Sequence, residues 1–284
     1  MSTAPTPPRD WSPLAAKVPE VTVLFWVIKV LTTGVGEATS DYLGSVSRVL
    51  AVGLGALGFA GALGLQFRVR RYVAAVYWLA VSMVAVFGTV AADGLHKGLG
   101  VPYIASTLFY AICLAVVFYL WHRSEGTLSI HSIVTQRRET YYWLAVLMTF
   151  ALGTAAGDLT AIAMHWGFRT SAIVFAALIA LPAVGWRLRK LNAVFAFWFA
   201  YVLTRPLGAS IADWFGKRRT LSGLGYGDGP VALIGAAAIV LLVGYVAVAR
   251  NDIQRPGSYE IQARTSGSLD DPDADSLRSS PVAE

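Results

Sequence analysis

Charge is scarce in this chain, and cysteine nearly absent. Charged residues fill 14% of the 284 positions, against 56% hydrophobic ones. Ordinary soluble domains carry about 25% charge, so this composition excludes them and leaves an integral membrane protein. The single cysteine, Cys113, excludes an internal disulfide and a Cys-based metal site. No HExxH, Walker or GxSxG element occurs, and the glycine-rich stretch 223–229 lacks the Lys-Ser/Thr ending of a phosphate loop. An ATP-driven pump or a serine hydrolase is therefore not expected, nor is any cofactor, and the chain is read as not an enzyme. The opening residues, polar and proline-rich, lack the apolar core and cleavage site of a signal peptide. The first apolar helix is therefore expected to remain as a span. The formal charge of +6 does not point to nucleic acid, because the basic residues stand beside span ends.

What is present is a repeat. An aromatic-Trp pair recurs at Phe25-Trp26, Tyr77-Trp78, Tyr142-Trp143 and Phe197-Trp198. Ten residues after each Trp stands a glycine: Gly36, Gly88, Gly153 and Gly208. Fifteen after each Trp stands an aspartate: Asp41, Asp93, Asp158 and Asp213. A second apolar run follows each patterned segment. A bilayer-spanning helix takes about 20 residues, and these runs predict eight. The first helices fall near 20–43, 72–95, 140–163 and 193–215, the second near 46–67, 101–121, 170–186 and 230–249. The predicted organisation is repeat 1 over 20–71, repeat 2 over 72–139, repeat 3 over 140–192 and repeat 4 over 193–250. Disordered cytoplasmic ends are expected over 1–19 and 251–284.

On these residues the chain resembles a family of bacterial membrane proteins made of four tandem two-span repeats of unknown function. The resemblance covers roughly residues 20–250. It implies the architecture and no established activity.

Basic clusters at Arg68–Arg71, Arg137–Arg138 and Arg187–Lys190 outweigh Lys217–Arg219 on the opposite side. Both termini are therefore expected in the cytoplasm of a bacterium, with the protein in its inner membrane. An even number of spans per copy makes the copies parallel, related by a pseudo-symmetry axis along the membrane normal. The patterned helices then either surround that axis or pair as halves. The fold class is thus an all-α membrane protein of four parallel two-helix repeats, with the lipid bilayer as its first partner and its oligomeric state open.

Each Asp stands about 22 Å beyond its Trp at 1.5 Å per residue, which places the four carboxylates near the outer boundary of the hydrocarbon. Carboxylate rings select cations at pore mouths; a helix-end cap would repeat equally well. Glu37 occurs in one copy only, four residues before Asp41, which marks it out as the stronger functional candidate. Lys29 and Arg205 also occur once each, and each is expected to find an acidic neighbour, since isolated charges within spans are costly. Trp26, Trp78, Trp143 and Trp198 read mainly as packing or interface anchors, with stacking on an organic cation as the minor reading. The four glycines read as helix-packing contacts. His96 and His165 are weak metal candidates by their spacing from Asp93 and Asp158. The favoured function is a secondary transporter or channel-like carrier for a small cation, divalent metals among them, with protons as the coupling ion. The alternative is a non-transporting scaffold or sensor whose repeat is architecture alone. An intramembrane enzyme on a lipid or quinone is a third class, without a catalytic constellation to support it.

Overall fold

A computed structural model describes residues 16–188 and 191–254. Among them there is no strand. Eight long helices follow one another: α1 (Val23–Val46), α2 (Arg48–Arg68), α3 (Ala74–Asp93), α4 (Tyr103–Glu125), α5 (Gln136–Asp158), α6 (Gly167–Arg187), α7 (Ala193–Gly216) and α8 (Asp228–Ala249). Local chemistry sets several boundaries. The side chains of Thr22, Ser47, Thr135 and Asn192 accept backbone N–H bonds at the starts of α1, α2, α5 and α7, satisfying donors that a helix start leaves open. Gly126, with φ of 69°, ends α4 in the left-handed conformation that glycine adopts without strain.

The patterned helices are the inner ones. α1 packs on α3, α3 on α5, α5 on α7 and α7 on α1, so they close a ring. α2 packs on α3, α4 on α5, α6 on α7 and α8 on α1. The second helix of each copy thus lies on the first helix of the next copy. More than half of α3, α5 and α7 is buried, against less than a third of α2, α4, α6 and α8. The outer surface exposes Val49, Leu57, Ile104, Ile112, Leu241 and Val248, an apolar coat suited to lipid.

Seven helices, α2 to α8, are long and apolar enough to cross a membrane. α1 is not among them, although it has 24 residues. It carries Lys29, Glu37 and Asp41, and α2, α3, α7 and α8 all pack against it. The ends also depart from expectation. Residues 16–19 and 251–254 are placed against the bundle rather than disordered, with Val18, Lys17 and Asp252 buried. Their backbone polar groups bond other connections, which composition does not reveal. The remainder of the stretches 1–19 and 251–284 lies outside the described residues.

Two aromatic positions interlock at every junction of the inner ring. Phe25 meets Trp78 at 5.6 Å between ring centroids, Tyr77 meets Trp143 at 5.7 Å, Tyr142 meets Trp198 at 6.2 Å, and Phe197 meets Trp26 at 5.7 Å. The aromatic of one copy therefore packs on the Trp of the next. The result is a collar nearest the chain ends. Trp78, Trp143 and Trp198 are buried in it, and Trp26 is half-buried.

The glycines bring the same helices together one level further along. A Cβ on Gly36 would strike Ala85, on Gly88 Phe150, on Gly153 Arg205, and on Gly208 Thr33. Each of those four partners stands seven residues after its own Trp. Backbones this close leave no room for a side chain, which is the use of small residues at membrane helix contacts.

Candidate functional site

Beyond the glycine contacts the inner ring holds a buried ion pair. Arg205 of α7 places Nη2 2.5 Å from Glu37 Oε2 of α1. The same nitrogen donates to Thr154 Oγ1 of α5 at 2.7 Å and to the Thr89 hydroxyl of α3. Nη1 donates to the Thr33 carbonyl of α1 at 3.2 Å. One guanidinium thus ties together all four inner helices. The Thr89 and Thr154 hydroxyls donate to the carbonyls of Ala85 and Phe150, each 3.0 Å away in its own helix. Their lone pairs are left to receive Arg205. Glu37, Thr89 and Thr154 all stand four residues before their Asp; in the fourth copy that place is Ala209, and Arg205 reaches across from one turn below. Arg205 is 0% and Glu37 2% exposed, so the pair is sealed from bulk solvent.

Lys29 lies at the next level toward the collar and differs from expectation. No acidic group pairs with it, and its Nζ, fully buried, has no hydrogen-bond partner among the described residues. It sits between two rings instead, 4.1 Å from the centroid of Phe150 and 4.2 Å from that of Tyr201. Ring faces so placed are the geometry that attracts an ammonium when it is charged. The acidic neighbour predicted for both cations is present for Arg205 alone.

At the far end stand the four repeat aspartates, and two lysines thread among them. Lys97 is 2.8 Å from Asp93 and 3.7 Å from Asp41. Lys217 is 2.6 Å from Asp41, 3.0 Å from Asp228 and 3.7 Å from Asp213. Asp158 makes no ion pair among the described residues and is buried. Burial works against the Lys217 ammonium, but Asp41, Asp213 and Asp228 outweigh it and raise its pKa above the ordinary lysine value. A raised folded-state value means that this pairing stabilises fully below the unfolded lysine pKa. On the lysine side it is lost as pH rises through the raised value.

No carboxylate of the four accepts a backbone hydrogen bond among the described residues. Asp93 and Asp158 are instead the last α-helical residues before single π-helical turns at Gly94–Gly98 and Leu159–Ala163, and neither side chain caps them. This weighs against reading the aspartates as helix-end caps. Carboxylate oxygens of Glu37, Asp41 and Asp213 lie within 4.8 Å of one another, near enough to share an ion. Oδ1 of Asp213 is buried without a hydrogen-bond partner.

The histidines are elsewhere. His96 stacks on Tyr103 with 3.4 Å between centroids, and its Nδ1 is 2.6 Å from the Val101 carbonyl. His165 is exposed and has φ of 58°. Neither joins the carboxylate group. A groove of about 580 Å³ opens between α4 and α7, lined by Phe118, His122, Phe195 and Trp198. It reaches the collar and none of the carboxylates.

Lys97 and Lys217 did not stand out in the sequence as site residues, although each follows a repeat Asp by four, a helical ion-pair spacing. Glu139, fully buried at the start of α5, gave no comparable signal.

No curated protein and no solved structure matches the chain. A family of repeats does, four times in tandem, over residues 24–72, 76–127, 141–192 and 196–252. Those segments take in every Trp, Gly and Asp of the pattern, and the chain therefore belongs to the family of the Repeat of Unknown Function (DUF347).

Proposed function

We propose that the protein is a multi-pass carrier of a small cation, with α1 as its eighth span and the four copies arranged about an axis along the membrane normal. Both termini face the cytoplasm, so the aspartates face outward. The observation that carries this reading is the sealed Glu37–Arg205 pair lying directly beneath the carboxylates of Asp41 and Asp213. Hard oxygen donors of this kind suit hard divalent ions such as Mg, Ca or Mn. Arg205 puts a fixed positive charge across the path, and fixed charges of that sign exclude cations from open pores. Passage then requires Glu37 to release Arg205, which favours a carrier over an open channel. A proton on Glu37 is the natural release signal, because it removes the charge that holds the guanidinium.

The alternative is a scaffold that transports nothing, and the closed aromatic collar favours it. Flux into proteoliposomes separates the two. With Mn²⁺ outside and a metal- and a pH-sensitive dye inside, the wild type is expected to admit metal with counter-movement of protons. Glu37→Gln is expected to abolish that flux while remaining folded. Absence of flux across a panel of mono- and divalent cations, with the variant identical to wild type, would leave the scaffold.

Lys217→Met removes a tethered ammonium from the same carboxylates. Tighter Mn²⁺ binding to the purified protein is expected, by about tenfold for each 1.4 kcal/mol of competition relieved. Unchanged or weaker binding in a titration would argue that metal does not enter there.

A further inference from the structure

We propose that residues 16–20 form a strap that shuts the bundle at the face bearing the chain ends, latched by the Lys17–Glu139 ion pair. The purpose of such a latch rests on the carrier reading; its geometry does not. Five residues without regular structure bond three separate connections. The Ala16 carbonyl accepts from Tyr72 N at 3.0 Å, ahead of α3. Lys17 N donates to the Ile133 carbonyl at 3.0 Å, ahead of α5. Glu20 N donates to the Asp252 carbonyl at 2.8 Å, beyond α8, and Gln254 Nε2 donates to the Pro19 carbonyl at 3.2 Å.

The strap also sends its charge inward. Lys17 Nζ is 2.6 Å from Glu139 Oε2, and Gln66 Nε2 at the end of α2 donates to Oε1 at 2.9 Å. Glu139 is 0% and Gln66 1% exposed. A buried ion pair is a poor way to gain stability, since apolar side chains of like volume do as well or better. It is a good way to make a closure that reopens. An apolar plug resists opening because its surface must enter water, whereas parted charges recover hydration.

The strap runs straight into α1 through Thr22, whose side chain caps that helix. α1 also carries Glu37 and Lys29. A shift of α1 on release of Arg205 therefore pulls on the strap, so events at the carboxylates reach the opposite face. Tyr72, which the strap bonds, packs edge-on against Tyr77 of the collar at 5.7 Å, and so links strap and collar.

The test is thiol accessibility in a Cys113→Ala background, with Val81→Cys as the reporter. Val81 is 0% exposed and stands three residues after Trp78, as Lys29 does after Trp26. With the strap intact, a maleimide applied at the terminal face of inside-out vesicles is expected to react slowly. Lys17→Met is expected to raise that rate about tenfold or more, as a minor open state becomes a major one. The exchange Lys17→Glu with Glu139→Lys restores the pair and is expected to restore protection. Folded Lys17→Met protein with unchanged labelling overturns the proposal. So does loss of the folded bundle in Lys17→Met, which would make the pair a support of the fold. Labelling needs no transported ion, so the strap can pass this test even if no flux is found, and fail it in a working carrier.

Discussion

Glu37→Gln lowers the unfolding stability of the purified protein by about 3–5 kcal/mol, the usual result of stripping one partner from a buried ion pair. Arg205 is the reason. It is fully buried, its bonds reach α1, α3 and α5, and a guanidinium cannot shed its proton within a protein. A neutral amide at position 37 still offers an acceptor oxygen but leaves that buried charge without a counter-ion. Arg205→Met is the milder change, because the charge left behind is on a carboxyl that can be protonated. The double variant Glu37→Gln/Arg205→Met is expected to recover much of the loss, with a coupling energy of about 2–3 kcal/mol between sites in direct contact. Thermal unfolding of the four proteins in one detergent measures it. Additive losses would mean that the pair does not act as a unit, and the proposed release of Arg205 from Glu37 would lose its basis.

Gly36→Ala is the second large effect, and its control is a glycine in the same helix. A methyl at Gly36 would meet the Ala85 side chain and lie 2.9 Å from the Ala85 carbonyl carbon, which is backbone and cannot turn aside. Overpacking of that kind costs about 1–3 kcal/mol. Gly44 has nothing within 4 Å of its would-be Cβ, so Gly44→Ala should gain about 0.5–1 kcal/mol from improved helix propensity. Opposite signs from one substitution in one helix would locate the stability of α1 at its contact with α3. Equal signs would show that the close approach carries no energetic weight.

The repeat made the levels of this molecule legible. Counting from each Trp gave the relative heights of the aromatics, the glycines, Glu37 and the aspartates, since a regular helix converts spacing into height. What counting could not supply is which helix stands beside which. Glu37 and Arg205 are 168 residues apart, and their meeting depends on α7 closing against α1. The same limit explains the error over Lys29. Its level was readable, but Phe150 and Tyr201 come from two other copies, and nothing along the chain announces that rings will surround the Lys29 amine. Lys97 and Lys217 follow their aspartates at a helical ion-pair spacing, but they lie where loops are expected, and that position hides the pairing. The strap was hidden for another reason. Its composition is that of a disordered end, and its order comes from carbonyls and amides in distant connections and from the buried Glu139 of α5.

The same register positions meet at all four junctions, yet the centre of the ring is lopsided: one copy supplies the carboxylate, another the guanidinium, and two supply threonines. Four identical subunits could build the collar and the glycine contacts, but each would bring the same residue to the middle, and four arginines or four glutamates there would repel. Fusion into one polypeptide removes that constraint. Once the copies are tethered in fixed order, each can diverge at its central position while its edges stay interchangeable. Chemistry in this protein should accordingly be sought where the copies disagree, and assembly where they agree.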